Sequence, residues 1–202
     1  MSDLLKNVSR ETAERLKAYA DLLQKWNPRI NLVARSTLPD LWERHFLDSA
    51  QVFSLAPEAF DSWVDLGSGG GFPGLVCAIL AQEQNPVSKF TLVESDARKS
   101  VFLRTVIRET GLSAIVLSDR IEALSPLQAD VLSARALADL ATLLSFSERH
   151  LGKAGVALFP KGVNWQKECQ VARTSWKFEC ETFNSATEPG AVILRIGGIS
   201  RV

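Results

Sequence analysis

Within Trp63–Gly74, read as WVDLGSGGGFPG, five of the chain's twelve glycines fall inside eight residues, directly after one apolar run and directly before another. Glycine inside an element is destabilising relative to alanine by about 0.5–1 kcal/mol. Such density is therefore costly unless something approaches the main chain closely. A strand-like run, a glycine-rich turn and a helical run form the opening of a βαβ unit. In open α/β sheets ligands bind at such a turn, at the carboxyl ends of the strands. The feature points to a parallel α/β architecture whose first strand-to-helix turn meets a ligand.

The rest of the chain extends that alternation. Strand-like Ser62 to Leu66 is followed by a helix from Pro73, a strand over Phe90 to Glu94 and a helix over Ala97 to Thr110 that Gly111 stops. Ala114 to Leu117, Val131 to Ala134 and Val156 to Phe159 read as further buried strands. Ala138 to His150 and a weaker Trp165 to Arg173 read as helices. Lys177 to Phe183 and Ala191 to Ile196, separated by NSATEPG, read as a hairpin. Ahead of the alternation, Ser9 caps a helical repeat from Arg10 to Trp26 that Asn27-Pro28 ends, and a second helix is expected from about Pro39 to Leu55. Trp26 and Trp42 lie on the apolar stripes, as core. The fold class expected is α/β: a Rossmann-like, mostly parallel seven-stranded sheet with helices on both faces and an antiparallel edge. Residues 1–60 form a helical N-terminal extension and residues 61–202 one compact domain.

The 202 residues are 46% apolar, enough to bury a substantial core, and carry 23 basic and 23 acidic side chains. With no net field, any nucleic-acid site must be a local basic patch. Cys77, Cys169 and Cys180 are far apart, odd in number and without C-x-x-C spacing, which argues for reduced thiols and against a zinc site or any other metal. The amino-terminal MSDLLKNVSRETAERLK is charged and helical, and no apolar run approaches the roughly 18 residues of a membrane span. A cytoplasmic protein without a membrane partner is expected.

Two patterns overlap in the glycine loop. Gly69, Gly71 and Gly74 satisfy G-x-G-x-x-G, the dinucleotide pattern of an NAD(P)-linked oxidoreductase. Gly67, Gly69 and Gly71 satisfy G-x-G-x-G, the shorter pattern of S-adenosylmethionine-dependent methyltransferases. Asp65, at the end of the first strand, would repel a pyrophosphate and attract a sulfonium or ammonium group, which favours the second. Glu94 ends the next strand, where a carboxylate can accept from both ribose hydroxyls of an adenosine. This identifies adenosine and not the chemistry. After the third strand, the backbone at Ile121 and the side chain of Glu122 can frame an adenine edge. A non-enzymatic adenosine-nucleotide-binding module is a third reading.

Six stretches in order, KWNPRINLVA, RHFLDS, DLGSGGGFPG, VESDARKSVFL, SARALA and PKG, make the sequence resemble the bacterial RsmG (GidB) family over nearly its whole length. The resemblance implies transfer of a methyl group from S-adenosylmethionine to N7 of a single guanine in 16S ribosomal RNA, on the free RNA or in the small ribosomal subunit. It places cofactor contacts at Gly67, Phe72, Ile121, Glu122 and Arg135, with Glu94 on the ribose. Gly70 stands where relatives often carry alanine or proline, and Val33 where threonine is common.

N7 of guanine is a lone-pair acceptor without a proton, so methylation there needs no general base. Correspondingly, no serine, cysteine or histidine sits in a nucleophile or acid/base constellation. Positioning then falls to Arg135, expected on the cofactor side, and Lys161. His45 is expected to be structural and His150 to act as a cation at a helix carboxyl end. Arg29, Arg35 and Arg44, with Lys25 nearby, and Lys161 are the expected phosphate contacts. The product would be S-adenosylhomocysteine and the enzyme a monomer.

Overall fold

The computed structural model describes residues 8–202. The expected helicity of residues 1–7 lies outside them. Helix α1 (Arg10–Ile30) starts where Ser9 accepts from the backbone amide of Thr12. It runs past the expected stop at Pro28. Asn27 is fully buried, its carbonyl accepts from Asn31, which closes the helix at φ 47°, and its side-chain oxygen accepts from Val33 at 2.9 Å. Pro28 sits in the last turn, where one missing donor is tolerated. The helix expected over residues 39–55 also differs: Trp42–Leu47 is wound as a π-helix and only Asp48–Ser54 (α2) is α-helical. Wide turns of this kind re-aim side chains and occur at functional sites. Here the turn presents Arg44, His45 and Asp48 to one groove.

The strands β1 (Ser62–Leu66), β2 (Lys89–Val93), β3 (Ala114–Leu117), β4 (Ala129–Ser133), β5 (Leu151–Lys161), β6 (Trp176–Asn184) and β7 (Val192–Arg201) form one seven-stranded sheet in the order β3-β2-β1-β4-β5-β7-β6. The first five pair in parallel. Strands β7 and β6 add the antiparallel edge expected of the terminal hairpin. Helices α3 (Gly74–Gln84), α4 (Ala97–Thr110), α5 (Leu140–His150) and α6 (Trp165–Ala172) complete the alternation. Gly111 ends α4 at φ 64°, as its position predicts.

Alternation along β1 divides the core. Trp63 faces the side where α1 and the segment 41–53 pack with α3 and α4, and Leu16, Tyr19, Leu23, Phe46, Ile79 and Phe102 join it there. Val64 and Leu66 face the side closed by α5, α6 and the hairpin. Trp26 and Trp42 are half-buried against Phe102 and Phe46. Because β1 lies where the strand order reverses, its loop opens at the switch point of the sheet.

Candidate active site

The loop after β1 is held by bonds from several directions. The amide of Ser68 donates to the carbonyl of Val93 at 3.0 Å and that of Gly69 to the Glu94 carboxylate at 2.8 Å. The Tyr19 hydroxyl donates to the carbonyl of Gly70. Gly67, Gly69 and Gly71 have φ of 65°, 54° and 95°, the left-handed region in which a side chain is strained. A Cβ on Gly67 would also come within 2.6 Å of Leu137.

Asp65 departs from expectation. It points with Trp63 toward the α3 face, is 1% exposed, and does not line the groove. Its register partner Ser133 donates to it at 2.6 Å while accepting from the Trp63 indole at 2.8 Å. The other carboxylate oxygen packs where a Cβ on Gly74 would lie, 2.7 Å away. Burial raises the Asp65 pKa from 3.8 to about 6, against the opposing hydrogen bonds. Asp65 thus braces the start of α3 from beneath the loop, outside the groove lining. Gly71 is likewise a packing glycine: a Cβ there would meet Leu75 and Tyr19, and it is absent from the groove lining.

The groove has two lobes, of about 460 and 780 Å³. The smaller is lined by Gly67, Gly69, Glu94, Ile121 and Glu122. Glu94 is buried, and its two oxygens accept from the amides of Gly69 and Asp96, at 2.8 and 2.7 Å. Each oxygen has a second lone pair, so a fixed acceptor pair remains for a ligand. The larger lobe is lined by Phe72, Arg135, Lys161 and the segment 185–192. The lobes share Gly67, Gly69, Lys99 and Ala136 to Ala138. Ala136 holds φ 53° there.

Arg135 forms the centre of the larger lobe. Its guanidinium donates to Asp48 at 3.2 Å, to His45 Nδ1 at 2.7 Å and to the carbonyl of Arg44 at 3.3 Å, and lies 5.1 Å from the Phe72 ring centre. The Arg135 and Asp48 side chains are 18% and 13% exposed, so this is a largely desolvated pair. Since a guanidinium only donates, His45 accepts at Nδ1 and carries its proton on Nε2, toward Thr37 at 2.8 Å. Burial, with Arg135 and Arg44 beside it, lowers its pKa to about 3. His45 is therefore a neutral strut.

Lys161 differs from the expected phosphate contact. Its ammonium pairs with Glu168 at 2.6 Å and donates to the carbonyl of Ala138 at 3.0 Å, and its side chain is 9% exposed. Glu168 also accepts from the amide of Leu140. Lys161 thereby ties β5 to the loop that carries Arg135. Arg44 reaches the groove but pairs with Glu188 at 3.3 Å. Arg29 and Arg35 are exposed and lie outside the groove lining. His150 is fully buried, its Nε2 donates to the carbonyl of Ile121 at 3.1 Å, and burial lowers its pKa. It is a neutral core residue and not the cation expected at the end of α5.

A family model described as rRNA small subunit methyltransferase G (GidB) matches residues 12–190. The chain belongs to that family. Its GidB-family relatives include the ribosomal RNA small subunit methyltransferase G of Ruegeria pomeroyi, 61% identical over 97% of this chain and 96% of that protein. The protein of the same name from Cereibacter sphaeroides is 51% identical over 97% and 95%. Among solved structures, a SAM-dependent methyltransferase from Aquifex aeolicus aligns with a TM-score of 0.60 at 11% identity, over 78% of this chain and 92% of that one. A methyltransferase from Geobacter sulfurreducens aligns with a TM-score of 0.59 at 16% identity, over 96% and 90%. At such identities these show the fold, a Rossmann-like methyltransferase fold, as expected. Membership of the GidB family disfavours the oxidoreductase reading of the loop.

Several residues that shape the site carry little signal of their own. Asp48 lies in the family stretch RHFLDS, yet nothing in that string names Arg135 as its partner. Tyr19, on the stripe of α1, reads as core, and so does Ser133. Thr187, which donates to Asp48 at 3.3 Å, comes from a turn-rich linker.

Proposed function

We propose that this protein transfers a methyl group from S-adenosylmethionine to N7 of one guanine in 16S ribosomal RNA, as a monomer in the cytoplasm. Residues 1–60 serve as a helical extension and residues 61–202 as the methyltransferase domain. Membership of the family supports the rRNA methyltransferase class. The observation that carries the assignment to the site is the continuity of the two lobes at Gly67 and Gly69, with the fixed Glu94 carboxylate in one and Arg135 in the other. S-adenosylmethionine fits these residues: Glu94 has free lone pairs for ribose hydroxyls, Gly67 and Gly69 leave bare backbone, and Ile121 and Glu122 border the same lobe.

When bound, S-adenosylmethionine supplies an electrophilic methyl group on its sulfonium. The protein's own residues orient and exclude water. Arg135, fixed by Asp48 and His45, presents a constant positive charge to the larger lobe. Lys161 holds the loop that carries it through the carbonyl of Ala138. No residue needs to take a proton from N7, since the neutral base has none there. His45, neutral and engaged at both nitrogens, is in keeping with that demand. Positioning of reacting groups can supply about 7–11 kcal/mol in well-oriented systems.

The test is incorporation of labelled methyl groups into small subunits, and into free 16S RNA, purified from cells lacking the gene. Chain cleavage after borohydride and aniline treatment then locates the product. One cleavage site at a guanine is expected. Incorporation without cleavage would mean that the methyl group sits on another atom, and no incorporation into either substrate would remove the assignment.

A further inference from the structure

Among the described residues, the glycine loop is fastened from outside the sheet by a side chain of the amino-terminal helix. Its bonds to Val93 and Glu94 belong to the neighbouring strand, and the amide of Gly71 returns to the carbonyl of Ser68. The carbonyl of Gly70, in a buried residue, instead accepts from the hydroxyl of Tyr19, fifty-one positions away on α1. Tyr19 is fully buried. Its ring stacks on Phe72 with centres 5.2 Å apart and also touches Phe46 and Phe102. Phe72 in turn lies under Arg135 and beside His45. The segment after α1 closes on the same residue, since a Cβ on Gly70 would be 2.9 Å from the carbonyl of Leu32.

We infer that Tyr19 is a positioning residue for the cofactor loop: its hydroxyl latches the Gly70 carbonyl, so that the amino-terminal helix sets the population of the ligand-competent loop. This rests on the cofactor reading above for its ligand and on the loop alone for its mechanism. A buried carbonyl without a donor is unfavourable. Without the hydroxyl the free loop relaxes so that Gly70 meets water, and binding must first restore the present geometry. Apparent affinity falls by the fraction of protein still in that geometry. Phenylalanine keeps the ring contacts and removes only the donor. Burial pushes the Tyr19 pKa well above its ordinary value, so the hydroxyl remains a donor throughout the accessible pH range.

The experiment compares wild type, Tyr19→Phe and Leu23→Val, the last being a core truncation one turn further along the same helix, at a side chain that makes no hydrogen bond to the loop. Amide exchange at Gly69 and Gly71 in the free protein, the Kd of S-adenosylhomocysteine by calorimetry, and kcat at saturating cofactor are measured, with thermal unfolding as the control. Tyr19→Phe should exchange about tenfold faster at these amides and bind about tenfold more weakly, with kcat unchanged. Leu23→Val should lower Tm and move neither quantity. Wild-type exchange and affinity in Tyr19→Phe would overturn the latch, as would the same shifts in Leu23→Val. If the wild type binds no S-adenosylhomocysteine, the cofactor reading fails and the exchange rates alone decide the latch.

Discussion

Asp65 shows how much one residue's direction decides. Its type and its place at the end of β1 are legible in the sequence. Its orientation is not, because two strand residues of opposite parity flank the same loop and only the packed helices reveal which face is wet. With the carboxyl buried, its pKa rises from 3.8 to about 6. The native state then holds a proton over a range where the unfolded chain has lost it. Asp65 therefore lowers stability progressively as pH rises through that window, and the penalty is complete above it. Asp65→Asn removes the titration. Urea unfolding of variant and wild type from acid to neutral pH should show their difference moving in the variant's favour, by at most about 1.4 kcal/mol per pH unit within the window. His45, with its pKa lowered to about 3, tilts stability the opposite way, but both proteins carry it and it cancels in the comparison. Parallel curves would mean that Asp65 titrates like an exposed carboxyl.

At the scale of elements, periodicity places the strands and most helices because an apolar face recurs at the period of the element that buries it. Gly111 and Ser9 mark ends for local reasons, so both are readable. The segment 39–55 shows the limit. Its apolar stripe is helical, but the π-helical winding over Trp42–Leu47 is matched to the groove that its polar residues face, and Arg135, ninety positions away from His45, has no local trace there. The glycine loop is legible as a ligand turn, while the division of labour among its glycines needs neighbours. Gly71 and Gly74 make room for Tyr19, Leu75 and Asp65, and Gly67 lies in the groove under Leu137. Gly67→Val combines a branched side chain at φ 65° with a collision at Leu137, so it should abolish measurable cofactor binding while the aromatic core stays folded. Calorimetry with S-adenosylhomocysteine, alongside near-ultraviolet dichroism of the aromatic core, checks both halves. Normal affinity in a folded Gly67→Val would make the loop purely structural.

The whole molecule carries 23 basic and 23 acidic residues, so attraction to RNA has to come from cations free of acidic partners. Of the four cations lining the larger lobe, three are committed, Arg135 to Asp48, Lys161 to Glu168 and Arg44 to Glu188, while Lys99, where the two lobes meet, has no ion-pair partner among the described residues. Arg29 and Arg35 are exposed and have no ion-pair partner among the described residues, and the segment between them carries Leu32 to Ala34 into the groove lining. Their side chains are thus available to phosphates beside the groove mouth. Replacing either by alanine should weaken binding to small subunits and lower the slope of log affinity against log salt by about one, since one phosphate contact releases about one counterion. Cofactor affinity should not change. Lys161→Ala should behave differently, for it frees Glu168 and the carbonyl of Ala138 and loosens the loop that carries Arg135. It should lower kcat at every salt concentration and leave the slope intact. Titrating subunits from a deletion strain across a salt series, with turnover measured at saturating subunit, separates the two classes. A reduced slope in Lys161→Ala together with unchanged slopes in Arg29→Ala and Arg35→Ala would move the RNA-facing surface from the α1 end to the rim of β5.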